Sequence, residues 1–395
     1  MAEPFDFSTK LIKESVSVDR ETGAANVPVY LSSTFHQKDF DRYGKYDYSR
    51  SGNPTREALE KAITSLEGGV RGFAFASGMA AISTAFLLLS SGDHAVVPKN
   101  VYGGTFRILT QVLNRLGISH TFVDTTDLDA VEQAIRPNTK VIYVETPSNP
   151  TLRVTDIRAV SLIAKNHGCQ TFVDNTFMTP VFQRPLELGA DLVLHSATKF
   201  ISGHSDVVAG LAVAGNEELA DRLYFLQNAL GAVLGVQDSW LLLRGLKTLD
   251  VRIRKSAQSA RKIADFLLKQ PEVQAVYYPT LQDHPGADLQ ERQAGSGGAV
   301  LSFELKDEKS ARMFVNQVTL PVFAVSLGAV ESILSYPPKM SHAELNEEER
   351  EKAGIHSGLL RLSVGLEDAG DLIRDFSAGL AAVRENEQAN VGSGK

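Results

Sequence analysis

The sequence predicts an α/β fold: a mainly parallel sheet covered by helices, followed by a smaller C-terminal α/β domain. Three observations carry that expectation. From about residue 56, short β-branched runs alternate with helical patterns, and such alternation favours parallel strands joined by covering helices. Polar residues suited to chemistry repeatedly follow the strand ends, which is where open α/β sheets build their sites. Beyond about residue 268 a second, shorter series of strands and helices begins.

Taken in order, residues 1–60 show few regular periods. Tyr43, Tyr46 and Tyr48 sit among Arg42, Lys45 and Arg50 before a Gly52-Asn53-Pro54 turn. A segment this irregular is either disordered or laid on another surface. Its aromatics favour an arm across a partner subunit. Helical patterns then run through residues 56–66, 78–89, 105–116, 127–135 and 156–166, with strands expected at 94–97, 121–124, 141–145, 171–174 and 191–195. These form a large domain, residues 61–255.

Residues 238–268, rich in Leu, Arg and Lys, are expected to form one long helix linking two domains. The C-terminal domain, residues 256–384, has strands expected at 273–278, 300–304, 332–335 and 359–364. Helices are expected at 308–317, 343–353 and 368–383. The small, polar residues 385–395 are expected to be a disordered tail.

Bulk properties narrow the function classes. The net charge of −7 and the absence of a basic stripe argue against nucleic-acid binding. The single cysteine, Cys169, cannot form an internal disulfide and fits a reducing cytosol. The first residues lack an apolar signal-peptide core, and the longest apolar stretch is too short for a bilayer. The expected protein is cytoplasmic and makes no membrane contact. Neither a Gly-x-Gly-x-x-Gly run, a zinc signature nor a serine nucleophile elbow occurs, so no metal is expected.

Lys199, in Ser196-Ala197-Thr198-Lys199-Phe200, follows an apolar strand; Asp174 ends another, Thr171-Phe172-Val173-Asp174. An amine and a carboxylate at two strand ends suit pyridoxal 5'-phosphate (PLP), which uses a lysine for its Schiff base and an acid to keep its ring nitrogen protonated. A lysine in a Ser/Thr-rich loop equally suits a solvated surface. Ser77-Gly78-Met79-Ala80 opens an apolar helical run, where Gly78 would admit an anion to the helix N-terminus; it also suits an ordinary N-cap. Ser196 and Thr198 add hydroxyl donors. Tyr102, beside Gly103-Gly104, could stack on a flat ring or cap a helix start. Arg361, inside the apolar run Leu359-Leu360-Arg361-Leu362-Ser363, needs an anionic partner, either a substrate carboxylate or an acidic side chain.

Taken jointly, these features resemble the Cys/Met-metabolism branch of PLP enzymes from about residue 9 to residue 383. The runs that carry the resemblance include Tyr48-Ser49-Arg50-Ser51-Gly52-Asn53-Pro54-Thr55-Arg56, Ser77-Gly78-Met79-Ala80 and Val101-Tyr102-Gly103-Gly104-Thr105. Glu145-Thr146-Pro147-Ser148-Asn149-Pro150, Val173-Asp174-Asn175-Thr176 and Ser326-Leu327-Gly328 match as well, as do residues 195–204. The resemblance implies the type I, aspartate aminotransferase-like fold with a seven-stranded sheet. It implies Lys199 as the Schiff-base lysine, Asp174 as the pyridinium partner and Tyr102 as the stacking ring. Gly78, Met79, Ser196 and Thr198 would hold the phosphate, and Tyr48 and Arg50 would reach the phosphate of a neighbouring subunit. Arg361 would bind the carboxylate of an amino-acid substrate, with Ser326 and Asn149 nearby. The assembly implied is a homotetramer built from two active dimers.

Departures within the family bear on substrate. Val325 stands where members acting at the γ-carbon resemble one another in a glutamate. Ser51 stands where γ-synthases tend to carry an arginine, and Gly104 where methionine γ-lyases have a cysteine. The remaining resemblance is to the cystathionine β-lyases of Gram-positive bacteria, through Phe73-Ala74-Phe75-Ala76-Ser77-Gly78, Asn175-Thr176-Phe177-Met178-Thr179-Pro180 and Val330-Glu331-Ser332-Ile333-Leu334-Ser335-Tyr336. It implies a carbon–sulfur lyase that converts L-cystathionine to homocysteine, pyruvate and ammonia for methionine biosynthesis. The alternatives are a γ-lyase, γ-synthase or methionine γ-lyase of the same family, or a catalytically silent regulator binding PLP or amino acids.

Overall fold

The computed structural model describes residues 5–16, 18–19, 21–343 and 346–392. The chain divides into two compact units. The first comprises Met1–Pro98, Gly104–Glu145 and Asp156–Asp250; the second comprises Lys99–Gly103, Thr146–Thr155 and Val251–Lys395.

The first unit is built on a seven-stranded sheet. Its strands are β1 (Arg71–Phe75), β2 (His94–Pro98), β3 (Ser119–Val123), β4 (Thr139–Glu145), β5 (Gln170–Asp174), β6 (Leu192–Ser196) and β7 (Gly210–Ala214), in the order β1-β7-β6-β5-β4-β2-β3. The pairings from β6 through β3 are parallel, and β7 runs antiparallel to both β1 and β6. Near-continuous apolar runs such as Phe172-Val173 and Leu192-Val193-Leu194 are fully buried, as both-faced coverage requires. Val96, Ile142, Val144 and Val173 pack against Ile157, Val160 and Ala164 of the helix Ile157–Asn166.

Local chemistry fixes where the helices start. Asn53 accepts from Thr55 N–H ahead of Pro54–Glu67, with Pro54 in the first turn and Gly68 ending the helix at φ 76°. Ser77, Asp127, Asp156 and Asn216 cap the helices Gly78–Phe86, Leu128–Gln133, Ile157–Asn166 and Glu217–Leu230 in the same way.

The second unit carries a five-stranded sheet: β8 (Val273–Tyr277), β9 (Val300–Leu305), β10 (Val322–Phe323), β11 (Ile333–Ser335) and β12 (Leu359–Ser363), in the order β10-β11-β12-β9-β8. Only the β10–β11 pairing is parallel among these. Helices Glu308–Gln317 and Ala369–Gly392 cover one face. Phe314 sits 5.4 Å from Phe303 and 5.2 Å from Phe376 between ring centroids, both nearly edge-on.

Several sequence expectations are corrected. The single helix expected over residues 238–268 is two, Val236–Leu246 and Leu249–Leu267, with Thr248 N–H bonded to Gly245 O at the break. The pattern at residues 105–116 is a helix, Gly103–Gln111, followed by a tighter turn, Leu113–Leu116. The last helix continues to Gly392, through most of the expected structureless tail; residues 393–395 lie outside the described ones. The arm contains a helix, Phe7–Glu14, and an isolated bridge between Thr34 and Tyr48.

Candidate active site

In the first unit, Asp174 ends β5 and pairs in register with Glu145 at the end of β4. Its Oδ1 accepts the Thr176 N–H at 2.9 Å, and its Oδ2 lies 3.5 Å from the Tyr143 hydroxyl. Burial pushes its carboxyl above the usual range, while Thr176 and the charge of His195 pull it down. Tyr143 also reaches Glu145 Oε1 at 3.3 Å, and burial drives its phenol well above the ordinary value. The end of β5 is therefore acidic, dry and held by donors.

The next strand end carries the lysine. Ser196 closes β6, and its N–H donates to Thr176 Oγ1 at 2.8 Å, tying the two strand ends together. Lys199 follows in a turn in which its N–H donates to Ser196 O and its carbonyl accepts from Gly203 N–H. Thr198 Oγ1 accepts from Ala209 N–H at 2.9 Å and donates to Ala209 O at 3.2 Å. That hydroxyl thus also pins the lysine turn to the chain entering β7.

Gly78 begins the helix after β1, with Met79 in its first turn. A Cβ at Gly78 would fall 2.9 Å from Ser196 Cβ, so only glycine lets this helix start approach the end of β6. A Cβ at Gly210 would fall 2.2 Å from Ser77 O, which closes the same corner from β7. The result is a helix N-terminus, with its unpaired N–H groups, set against the Ser196 hydroxyl. That donor set suits a phosphate ester.

Tyr48 and Arg50 form a separate group in the arm. Arg50 stacks its guanidinium 5.6 Å from the Tyr48 ring centroid, and its Nη1 donates to Asn228 O at 2.5 Å and Asn228 Oδ1 at 3.0 Å.

In the second unit, Arg361 lies on β12 opposite Ser302 of β9 and Ser335 of β11. It is 4% exposed. Nη1 donates to Asn149 Oδ1 at 2.7 Å, and Nη2 donates to Ser326 O at 2.6 Å. Ser326 adopts φ 84°, a left-handed conformation that is strained for a serine and aims its carbonyl at the guanidinium. Among the described residues Nε has no partner. Burial lowers the guanidinium to about 10, and Tyr102 opposes that shift. A buried cation with a spare donor and only neutral partners suits an anion.

The sequence also leaves residues here unremarked. His342 is buried near Arg361, with Nδ1 2.9 Å from Ser341 Oγ, and burial followed by the Arg361 charge lowers it to about 4. Glu67 is fully buried 2.6 Å from His195 Nε2. Its signal is visible in retrospect: it continues the stripe Leu59, Ile63 and Leu66 of Pro54–Glu67, where an apolar residue is expected.

Known proteins match this arrangement over nearly the whole chain. The model of the Cys/Met metabolism PLP-dependent enzyme family matches residues 8–381. Cystathionine beta-lyase MetC of Bacillus subtilis (strain 168) is 63% identical over 375 residues, covering 95% of this chain and 96% of that protein. Cystathionine gamma-lyase of the same strain is 52% identical over 372 residues, covering 94% and 98%. The crystal structure of cystathionine gamma-lyase from Lactobacillus plantarum complexed with L-serine is 46% identical, with a TM-score of 0.94, over 96% of this chain and all of that one.

Proposed function

The chain belongs to the Cys/Met metabolism PLP-dependent enzymes, and from that membership we propose that it cleaves L-cystathionine to homocysteine, pyruvate and ammonia. It is a PLP-dependent carbon–sulfur lyase. The observation that carries the substrate reading is the buried Arg361, whose unpartnered Nε and neutral neighbours suit an amino-acid carboxylate.

The residues present fit the cofactor. The glycine-lined corner at Gly78, which a Cβ would fill, and the Ser196 hydroxyl suit its phosphate. The dry carboxylate of Asp174 suits a protonated ring nitrogen. When bound, PLP accepts the electron pair released at the substrate α-carbon. Gly78, Met79, Ser196 and Thr198 would hold the phosphate, Tyr102 would cover the ring, and Tyr48 and Arg50 would serve a neighbouring subunit's phosphate.

Within that frame the side chains divide the work. Arg361 fixes the substrate carboxylate, and Asn149 and Ser326 keep the guanidinium aimed. With phosphate and carboxylate both held, the α C–H bond is oriented for cleavage. The Lys199 amine, which would carry the cofactor between turnovers, takes the α-proton as general base. Asp174 keeps the ring nitrogen protonated. The Cβ–S bond breaks as the Cα–Cβ double bond forms, homocysteine thiolate leaves, and water converts the three-carbon fragment to pyruvate and ammonia. Val325, 65% exposed and uncharged, offers no carboxylate to a distal ammonium group, which supports β- over γ-elimination.

The proposed assembly is a homotetramer of two active dimers in the cytoplasm. The arm supports it: Phe40 is 97% exposed, and Tyr43 and Leu31 are also bare, an apolar surface suited to a second copy. Among the described residues no helix is long and apolar enough to cross a membrane. Product analysis with L-cystathionine tests the reaction. Pyruvate with homocysteine is the expected pair; 2-oxobutyrate with cysteine would move the cut to the γ-carbon.

A further inference from the structure

Glu67 ends the helix Pro54–Glu67, and its side chain is fully buried, as is that of His195. Glu67 Oε1 lies 2.6 Å from His195 Nε2 and accepts from Asn175 Nδ2 at 3.1 Å. Asn175 immediately follows Asp174, and His195 immediately precedes Ser196. One carboxylate oxygen therefore clasps both strand ends that carry the proposed cofactor residues. Asn175 is fixed further: its Nδ2 donates to Gln183 O at 2.7 Å, and its Oδ1 accepts from Gln183 Nε2 at 2.9 Å.

Stability does not account for this carboxylate. A buried ion pair is often no better than apolar residues of similar volume, and Glu67 occupies an apolar stripe. Glu67 Oε2 and His195 Nδ1 have no partner among the described residues. The pair is a poor filler of a core position.

We infer that Glu67 is a positioning residue for the cofactor site, its one oxygen fixing both the strand end that Asp174 closes and the one that leads into Ser196 and Lys199. The surroundings of Asp174 give that placement its use. On the β4 side it faces Tyr143 and, in register, the like charge of Glu145. On the β6 side His195 favours the ionised carboxylate against burial. An ionised Asp174 keeps the ring nitrogen protonated and the electron sink strong.

The inference rests on the cofactor reading, so its test separates the two. Wild type, Glu67→Gln, His195→Gln, the double variant and Leu59→Ala, a buried site on the same helix, are freed of cofactor and titrated with PLP by absorbance. Each is then assayed with L-cystathionine, and its Tm is measured. Glu67→Gln, His195→Gln and the double variant, which removes both members of the pair together, should weaken PLP binding and lower kcat about tenfold, equivalent to ~1.4 kcal/mol. KM should stay unchanged, because Arg361 is untouched. Leu59→Ala should lower Tm alone. Wild-type PLP affinity and kcat in the Glu67 and His195 variants overturn the inference. A wild-type chain that takes up no PLP overturns the cofactor reading as well.

Discussion

Arg361 Nη1 donates to Asn149 Oδ1 at 2.7 Å across a sequence separation of 212 residues. The bond holds a planar, buried fork in one orientation, with Ser326 O on its other arm. Lysine keeps the charge but has no fork. Arg361→Lys and Arg361→Ala should both lower kcat/KM for cystathionine, the alanine variant by about 2–5 kcal/mol if the pair with substrate is desolvated. Steady-state kinetics decide it, and an unchanged KM and kcat/KM would remove Arg361 from substrate recognition.

Lys199 sits in a turn whose backbone is held by Ser196, Gly203 and Ala209. Lys199→Ala should leave that turn intact while abolishing both the visible cofactor band and lyase activity. Absorbance of the purified variant reads the result directly, and a yellow, active Lys199→Ala protein would sink the whole assignment.

The corner at Gly78 predicts a different phenotype. An added methyl meets Ser196 Cβ at 2.9 Å and its Oγ at 3.0 Å, so one side must move by several tenths of an ångström. Gly78→Ala should weaken PLP binding by about 5- to 150-fold, the equivalent of roughly 1–3 kcal/mol of overpacking placed against the proposed phosphate donors. Titration of the apo-protein with PLP checks it; wild-type affinity would mean that the phosphate lies elsewhere.

Acid should destabilise the fold through two buried histidines. His94, bonded to Thr139 Oγ1 at 2.8 Å and Thr121 Oγ1 at 2.9 Å, is lowered to about 4 by burial and then by Arg136 and His120. His342 is lowered to about 4 by burial and Arg361. Between about pH 6.5 and 4 the unfolded chain takes up protons that the folded chain refuses. Their stabilisation is thus full above the unfolded value and lost as pH falls. For His342 the slope is at most ~1.4 kcal/mol per pH unit. Urea unfolding at several pH values should show this loss, with a flatter profile in a His94→Gln, His342→Gln variant; identical profiles would count against it.

The parallel centre of the sheet was legible because its strands are short apolar runs bounded by helical patterns, as at Thr171-Phe172-Val173-Asp174. β1 and β7 were not, since Arg-Gly-Phe-Ala-Phe and Gly-Leu-Ala-Val-Ala are rich in small residues that read weakly as strand. The β7 glycine, Gly210, is there because Ser77 passes against it, a tertiary demand with no local trace. The helix break at Lys247-Thr248 falls in a run without proline, and its one sequence mark is Gly245, a lone glycine in a helical pattern, which signals a break only weakly. Lys199, Asp174 and Arg361 stood out because charged groups at strand ends or within an apolar strand are conspicuous. Glu67 did not, because a glutamate before two glycines reads as an ordinary exposed helix end.

The segment Thr146–Thr155 belongs to the second unit although the chain reaches it early. Pro150 O accepts from Ser302 Oγ at 2.7 Å, and Thr155 O accepts from Gln293 Nε2 at 3.2 Å. On the ribosome, Asn149 is therefore made long before Ser302, Gln293 or Arg361 exist. No cut at the 250/251 boundary yields two self-sufficient pieces, because the C-terminal piece would lack the loop that orients its own arginine. A nascent chain stalled at residue 250 would carry that loop with its partners still unmade, which makes synthesis order a constraint on when Arg361 can first meet Asn149.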